Sequence, residues 1–85
     1  MPRFYFHLAN DMFVRDHQGR DLPNLEAARA EAIKAARDIL AATILEQGKI
    51  NFEHRIDVVD EAGEAVLSVK FGDVVIIENS PPVGP

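Results

Sequence analysis

The stretch from Leu25 to Gln47 restricts the fold more than any other feature of this chain. Nearly every residue in it is a good helix former. Asn24 ahead of it offers an N-cap side chain, and Gly48 behind it supplies the left-handed stop on which helices commonly end. Its stripe of Leu25, Ala28, Ala32, Ala36, Ile39, Leu40, Thr43 and Ile44 shares one face, with Glu26, Glu31, Lys34, Asp38 and Glu46 largely off it. Such a helix needs an apolar layer to lie on. The alanines of its first half allow a close approach, and the bulky aromatics of the amino-terminal segment are expected to fill the facing space.

Two hairpins supply that layer. Arg3 to Ala9 and Met12 to Asp16 are short apolar runs separated by Asn10-Asp11, a turn-forming pair. A two-residue turn there sets Leu8 opposite Phe13, His7 opposite Val14 and Phe6 opposite Arg15. Alternation then puts Phe4, Phe6, Leu8 and Phe13 on the core face and Arg3, Tyr5, His7, Met12 and Val14 on the other. His54 to Val59 and Ala65 to Phe71 form the second hairpin around Ala62-Gly63. Its expected pairs are Ile56 with Val69, Asp57 with Ser68, Val58 with Leu67 and Val59 with Val66. Val74 to Ile77 is a run of β-branched residues that fits either a fifth strand or a loose edge. The expected fold is therefore α+β, a two-layer sandwich of an antiparallel sheet with one long helix on one face, in the order ββαββ(β). Residues 1–78 form one domain in this reading, and residues 79–85 a flexible proline-rich tail.

At 85 residues the chain buries only about 60–65% of its unfolded surface, enough for one modest core. There is no cysteine, which excludes disulfides, thiol nucleophiles and thiolate metal sites. The net charge of −5 and the lack of a basic run argue against nucleic acid as a partner. Stacking of single strands on Phe4, Tyr5 and Phe6 is opposed by the same charge, and by two of those rings facing the core. The short apolar start is neither a signal peptide nor a membrane span, so the expected location is cytoplasmic, with no membrane partner.

Met1 to His7, Asp16 to Asp21, Leu22-Pro23-Asn24-Leu25-Glu26-Ala27-Ala28 and the following helix, Asp60 to Gly63 and Phe71 together resemble a family of short bacterial proteins of unassigned function. Such proteins open with Met-Pro-Arg, two aromatics, Phe and His, and carry a Leu-Pro segment leading into an alanine-rich helix. The resemblance covers roughly residues 1–73; Val74 to Pro85 departs from the usual ending. It implies no activity and transfers no catalytic residue.

Chemistry-bearing residues are few. His7, His17 and His54 are scattered along the chain, and Asp57, Asp60, Glu61 and Glu64 crowd a hairpin where turn chemistry explains them. Ser68 and Ser80 sit in no nucleophile elbow, and the five glycines are isolated rather than clustered in a phosphate loop. No cofactor, metal or catalytic residue is assigned, and an enzyme is the less favoured reading. The informative anomaly is apolar surface. One helix covers one sheet face, yet the other carries Tyr5, His7, Val14, Val59 and Val66. These, with Val74, Val75, Ile76 and Ile77 as an edge open to strand addition, are the expected interface of a self-associating homodimer that acts by binding, with another protein as a further candidate partner. The alternative is a small-ligand- or metal-binding sensor or enzyme that uses His7, His54 and nearby carboxylates, in a pocket most easily made between subunits.

Overall fold

The computed structural model describes residues 1–79. Its elements are β1 (Arg3–Ala9), β2 (Phe13–Val14), β3 (Arg20–Asp21), α1 (Leu25–Gln47), β4 (Arg55–Val59), β5 (Ala65–Lys70) and a 3-10 turn (Phe71–Asp73). The fold is α+β, one helix against an antiparallel sheet in the order β2-β1-β4-β5, with β3 also pairing with β1. The two hairpins join through β1 and β4. Tyr5 lies opposite Val59, His7 opposite Asp57 and Ala9 opposite Arg55.

Both ends of α1 are closed as its flanking residues dictate. Asn24 is extended and its side-chain oxygen accepts the Ala27 N–H at 2.9 Å, while Gly48, at φ 67°, donates its own N–H to Ile44. Ala28, Ala32, Ala36 and Leu40, at a spacing of four, are the buried line of the helix. They pack over β4, β5 and the 3-10 turn more than over the first hairpin. Ile56, Val58, Val69 and Phe71 fill the space below the alanines, and Phe4 enters from β1. Of the first-hairpin aromatics expected to face the alanines, only Phe4 is buried in the cluster, and Phe71 at the end of β5 supplies the other buried ring.

The first turn holds three residues rather than two. Leu8 faces Val14 and Ala9 faces Phe13, with the tip closed by Asn10 N–H to Met12 O and Met12 N–H to Asn10 Oδ1. The shift by one residue exchanges the faces of β2. Phe13, expected in the core, lies on the outer face, its ring centroid 5.6 Å from that of His7. Val14, expected outside, shares the face of Leu8 at an exposed edge.

The second hairpin keeps the expected pairs as far as Val58–Leu67. A bulge then sets Ala65, not Val66, opposite Val59. Val66 packs against the core cluster instead. The run from Val74 to Ile77 is not a strand. Val74 is 4% exposed and belongs to the core, held by the Arg37 side chain donating to its carbonyl at 2.8 Å, and Val75 packs beside it. Of the expected tail, residues 80–85 lie outside the described residues.

Candidate functional site

The outer sheet face is partly covered by the chain's own link between β2 and β3. Asp16 organises it. One carboxylate oxygen accepts the Phe6 N–H at 3.1 Å, on the edge of β1 away from β4 and between its pairings with β2 and β3, and the other accepts the N–H groups of Gln18 and Gly19. The Asp16 N–H donates to His7 Nδ1 at 2.9 Å. A nitrogen that accepts a hydrogen bond carries no proton, so the His7 ring is protonated on Nε2 in this arrangement. Burial pushes the Asp16 carboxyl up, but the N–H groups of Phe6, Gly19 and Gln18 outweigh it and hold the group below its ordinary value. Gly19, at φ 69°, lies so close to Phe4 O and the Tyr5 ring that a Cβ there would sit within 3 Å of both.

Of the residues expected at an interface, Tyr5 and His7 therefore sit beneath or beside the link, and His7 is only 8% exposed. Val59 is half-buried on the outer face opposite Tyr5. Between them and the sheet end runs a polar row, in which Arg55 and Ser68 both bond Asp57 Oδ1, at 2.9 and 3.0 Å. Ile76 and Ile77 are 86% and 62% exposed. Val74 and Val66 are turned inward, into the core cluster.

His54 stands on the opposite side of the sheet from His7. Alternation along β4 places it with Ile56 on the core face, while His7 faces Asp57 on the outer one. Within one chain the two histidines therefore lie on opposite faces of the sheet. Among the described residues no three His, Asp or Glu side chains converge to hold a metal ion.

A different group meets at His54. The β4–β5 ladder continues past its ends, with Phe71 N–H bonded to His54 O at 2.8 Å and Gly72 N–H to Phe52 O at 3.1 Å. This pins the 52–54 segment and sets the His54 ring edge-on to Phe71, centroids 5.9 Å apart. Continuing the β1–β4 register brings the hairpin tip at Asn10-Asp11 alongside. The tip, the carboxy-terminal half of α1 and the 49–54 segment enclose a cleft of about 580 Å³, with Ile39, Leu40 and Phe52 among its apolar lining. His54 Nε2 is buried and has no hydrogen-bond partner, alone in this respect among the described side chains. Asp11 Oδ1 is 3.7 Å away, too far for a hydrogen bond.

Sequence reasoning named Asn10-Asp11 as a turn and His54 as a strand start, but their meeting depends on β1 pairing with β4. The alternation of the two segments was the available signal, and it fixes faces rather than neighbours. Among the described residues no helix is long and apolar enough to cross a membrane. No curated protein matches the chain, and no solved structure does. Residues 3–72 match DUF6894, a domain of unknown function, in keeping with the resemblance in the sequence, and the chain belongs to that family.

Proposed function

We propose that this protein is a small-ligand-binding module whose site is the His54 cleft. The observation that carries the reading is His54, which lines the cleft and whose buried Nε2 has no hydrogen-bond partner. Leaving a buried polar atom unpaired costs about 1–3 kcal/mol, and a ligand that meets it recovers that cost. The cleft is concave and sets Ile39, Leu40 and Phe52 among mostly polar lining residues, and small molecules bind in concave sites where apolar surface meets converging polar groups. Among the described residues the one hydroxyl in its lining, that of Thr43, is already bonded to Ile39 O, and the reading is binding rather than catalysis.

The test is an amide chemical-shift titration with a panel of aryl-alkyl amines, alcohols and carboxylates. Saturable shifts confined to Thr43, Gln47, Asn51, His54 and their neighbours support the reading. A panel that moves none of these amides overturns it.

A second reading, a homodimer that binds a protein partner, is favoured by the exposure of Ile76 and Ile77 just beyond buried Val74. It shifts the expected contact from the sheet face to the segment after the 3-10 turn. Light scattering across a dilution series tests it. A dimer that Ile76→Lys/Ile77→Lys converts to a folded monomer supports it, and a monomer at high micromolar concentration overturns it.

A further inference from the structure

The polar groups of the His54 cleft differ in how far they are already engaged. The Thr43 hydroxyl donates to Ile39 O at 2.9 Å, Asn51 Oδ1 accepts the Glu53 N–H at 2.9 Å, and Asn10 Oδ1 accepts the Met12 N–H at 2.8 Å. Glu53, on the cleft wall, has its carboxylate 3.7 Å from the Lys70 ammonium. Gln47 and Lys49 are exposed residues on its rim. What remains unengaged is the buried Nε2 of His54, and the carboxylate of Asp11, which also lines the cleft, stands within ion-pair reach of it.

We propose, on the basis that this cleft is the binding site, that its ligand is a small organic ammonium ion carrying an apolar aryl or alkyl group. The two groups facing each other at 3.7 Å can both accept. A carboxylate has only lone pairs to offer, and a neutral imidazole with its proton on Nδ1 offers the lone pair of Nε2. An ammonium nitrogen has several donors on one atom and can bond both, one bond being charge-assisted. With contacts of about 2.8 Å to each, a bridging nitrogen fits off the line between them. The Asp11 side chain, 95% exposed at the hairpin tip, is free to swing aside as the ligand enters.

The other ligand classes meet this pair less well. A carboxylate or phosphate would place its charge against Asp11, and like charges at this distance repel. An alcohol bonds both groups only by using its single proton on one and turning a lone pair to the other, with no charge of its own to match Asp11. The apolar part of the ligand lies along Ile39, Leu40 and Phe52, which line the same cleft.

The experiment compares 2-phenylethylamine, 2-phenylethanol and 3-phenylpropionate by amide-shift titration of the full chain at pH 8, where the amine remains charged. The amine is expected to bind at least ten-fold more tightly than the alcohol, and the carboxylate to give no saturable shift. Asp11→Asn, a change at an exposed turn that leaves the fold intact, is expected to remove the preference for amine over alcohol. His54→Phe keeps a ring against Phe71 and is expected to weaken the amine several-fold. If the alcohol or carboxylate binds as tightly as the amine, or Asp11→Asn leaves the preference unchanged, the ligand class is wrong while the cleft remains a site. If none of the three shifts a cleft amide, both the class and the site are overturned.

Discussion

Asp16 and His7 are tied together across the first hairpin, the Asp16 N–H donating to His7 Nδ1 while the Asp16 carboxylate takes up the N–H of Phe6 next to His7. The side chain thereby fills the gap between β2 and β3 along the edge of β1 away from β4. Its carboxyl is held below its ordinary value in the folded state. A depressed folded value means the stabilisation is complete above the unfolded value, about 3.9, and is lost as the pH falls through the lower folded one. Asp16→Ala is expected to cost about 2 kcal/mol at neutral pH, because it strands three backbone N–H groups. Asp16→Asn, which keeps one acceptor oxygen, is expected to cost about half as much and to remove this residue's share of the acid loss. Urea unfolding of the three proteins between pH 2.5 and 7 measures both effects. Equal stability of Asp16→Ala and the parent at pH 7 would mean that the link is held by other contacts.

Gly19 combines a left-handed backbone with a close approach that leaves no room for a side chain. A Cβ there would lie 2.8 Å from Phe4 O and 2.9 Å from the Tyr5 ring. Gly19→Ala is therefore expected to destabilise by roughly 2 kcal/mol or more, combining backbone strain with steric overlap. Gly63 is also at positive φ, but a Cβ there would meet nothing within 4 Å, so it is the control that reports strain alone. Alanine at position 63 is expected to cost only about 1 kcal/mol. Thermal unfolding of the two variants compares them. A cost at position 19 no greater than that at 63 would show that the link does not rest on Tyr5.

The three-residue turn gives Phe13 a role the two-residue register denies it. Its ring is 52% exposed, packed on His7 and beneath the Arg15 guanidinium at 5.6 Å. Phe13→Ala should then cost about 1 kcal/mol, near the scale of one exposed aromatic and cation contact. Phe71→Ala, in the core at 2% exposure, should cost about 3–5 kcal/mol. Denaturant midpoints separate the cases. A core-sized loss at Phe13 would restore the register in which it faces the helix.

The parts of this structure that were legible in the sequence are those set by residues near one another in the chain. Asn24 and Gly48 bracket the helix and Ala28, Ala32 and Ala36 mark its buried line through intrinsic propensity and period. The central pairs of the second hairpin follow from alternation alone. The register of the first turned on one residue, since Asn10 forms its side-chain turn with Met12 inside the loop rather than ahead of a strand. The bulge at Val66 and the inward turn of Val74 depend on what the helix leaves uncovered, which alternation does not encode. The His54 cleft was the least legible feature. Asp11 and His54 are far apart in sequence and meet only because β1 chose β4 as its neighbour.

Val74 and Ile76 belong to one β-branched run, yet the structure gives them opposite environments. Val74 is 4% exposed with its carbonyl held by Arg37, whereas Ile76, two residues on, is 86% exposed. Val74→Asp would place a carboxylate in the apolar cluster and is expected to destabilise by upward of about 3 kcal/mol. Ile76→Asp changes a side chain that leaves no cavity behind and should stay within about 0.5 kcal/mol of the parent in the monomer. Measured by urea unfolding at low micromolar concentration, this difference tests the path of the chain after the 3-10 turn. Repeating the Ile76→Asp measurement at high micromolar concentration adds a separate discrimination. A loss of stability that grows with concentration relative to the parent would come from self-association through Ile76, because only a contact between chains makes stability depend on chain concentration. A similar loss for both variants at every concentration would instead place Val74 to Ile77 in a single element facing the core, as a fifth strand does.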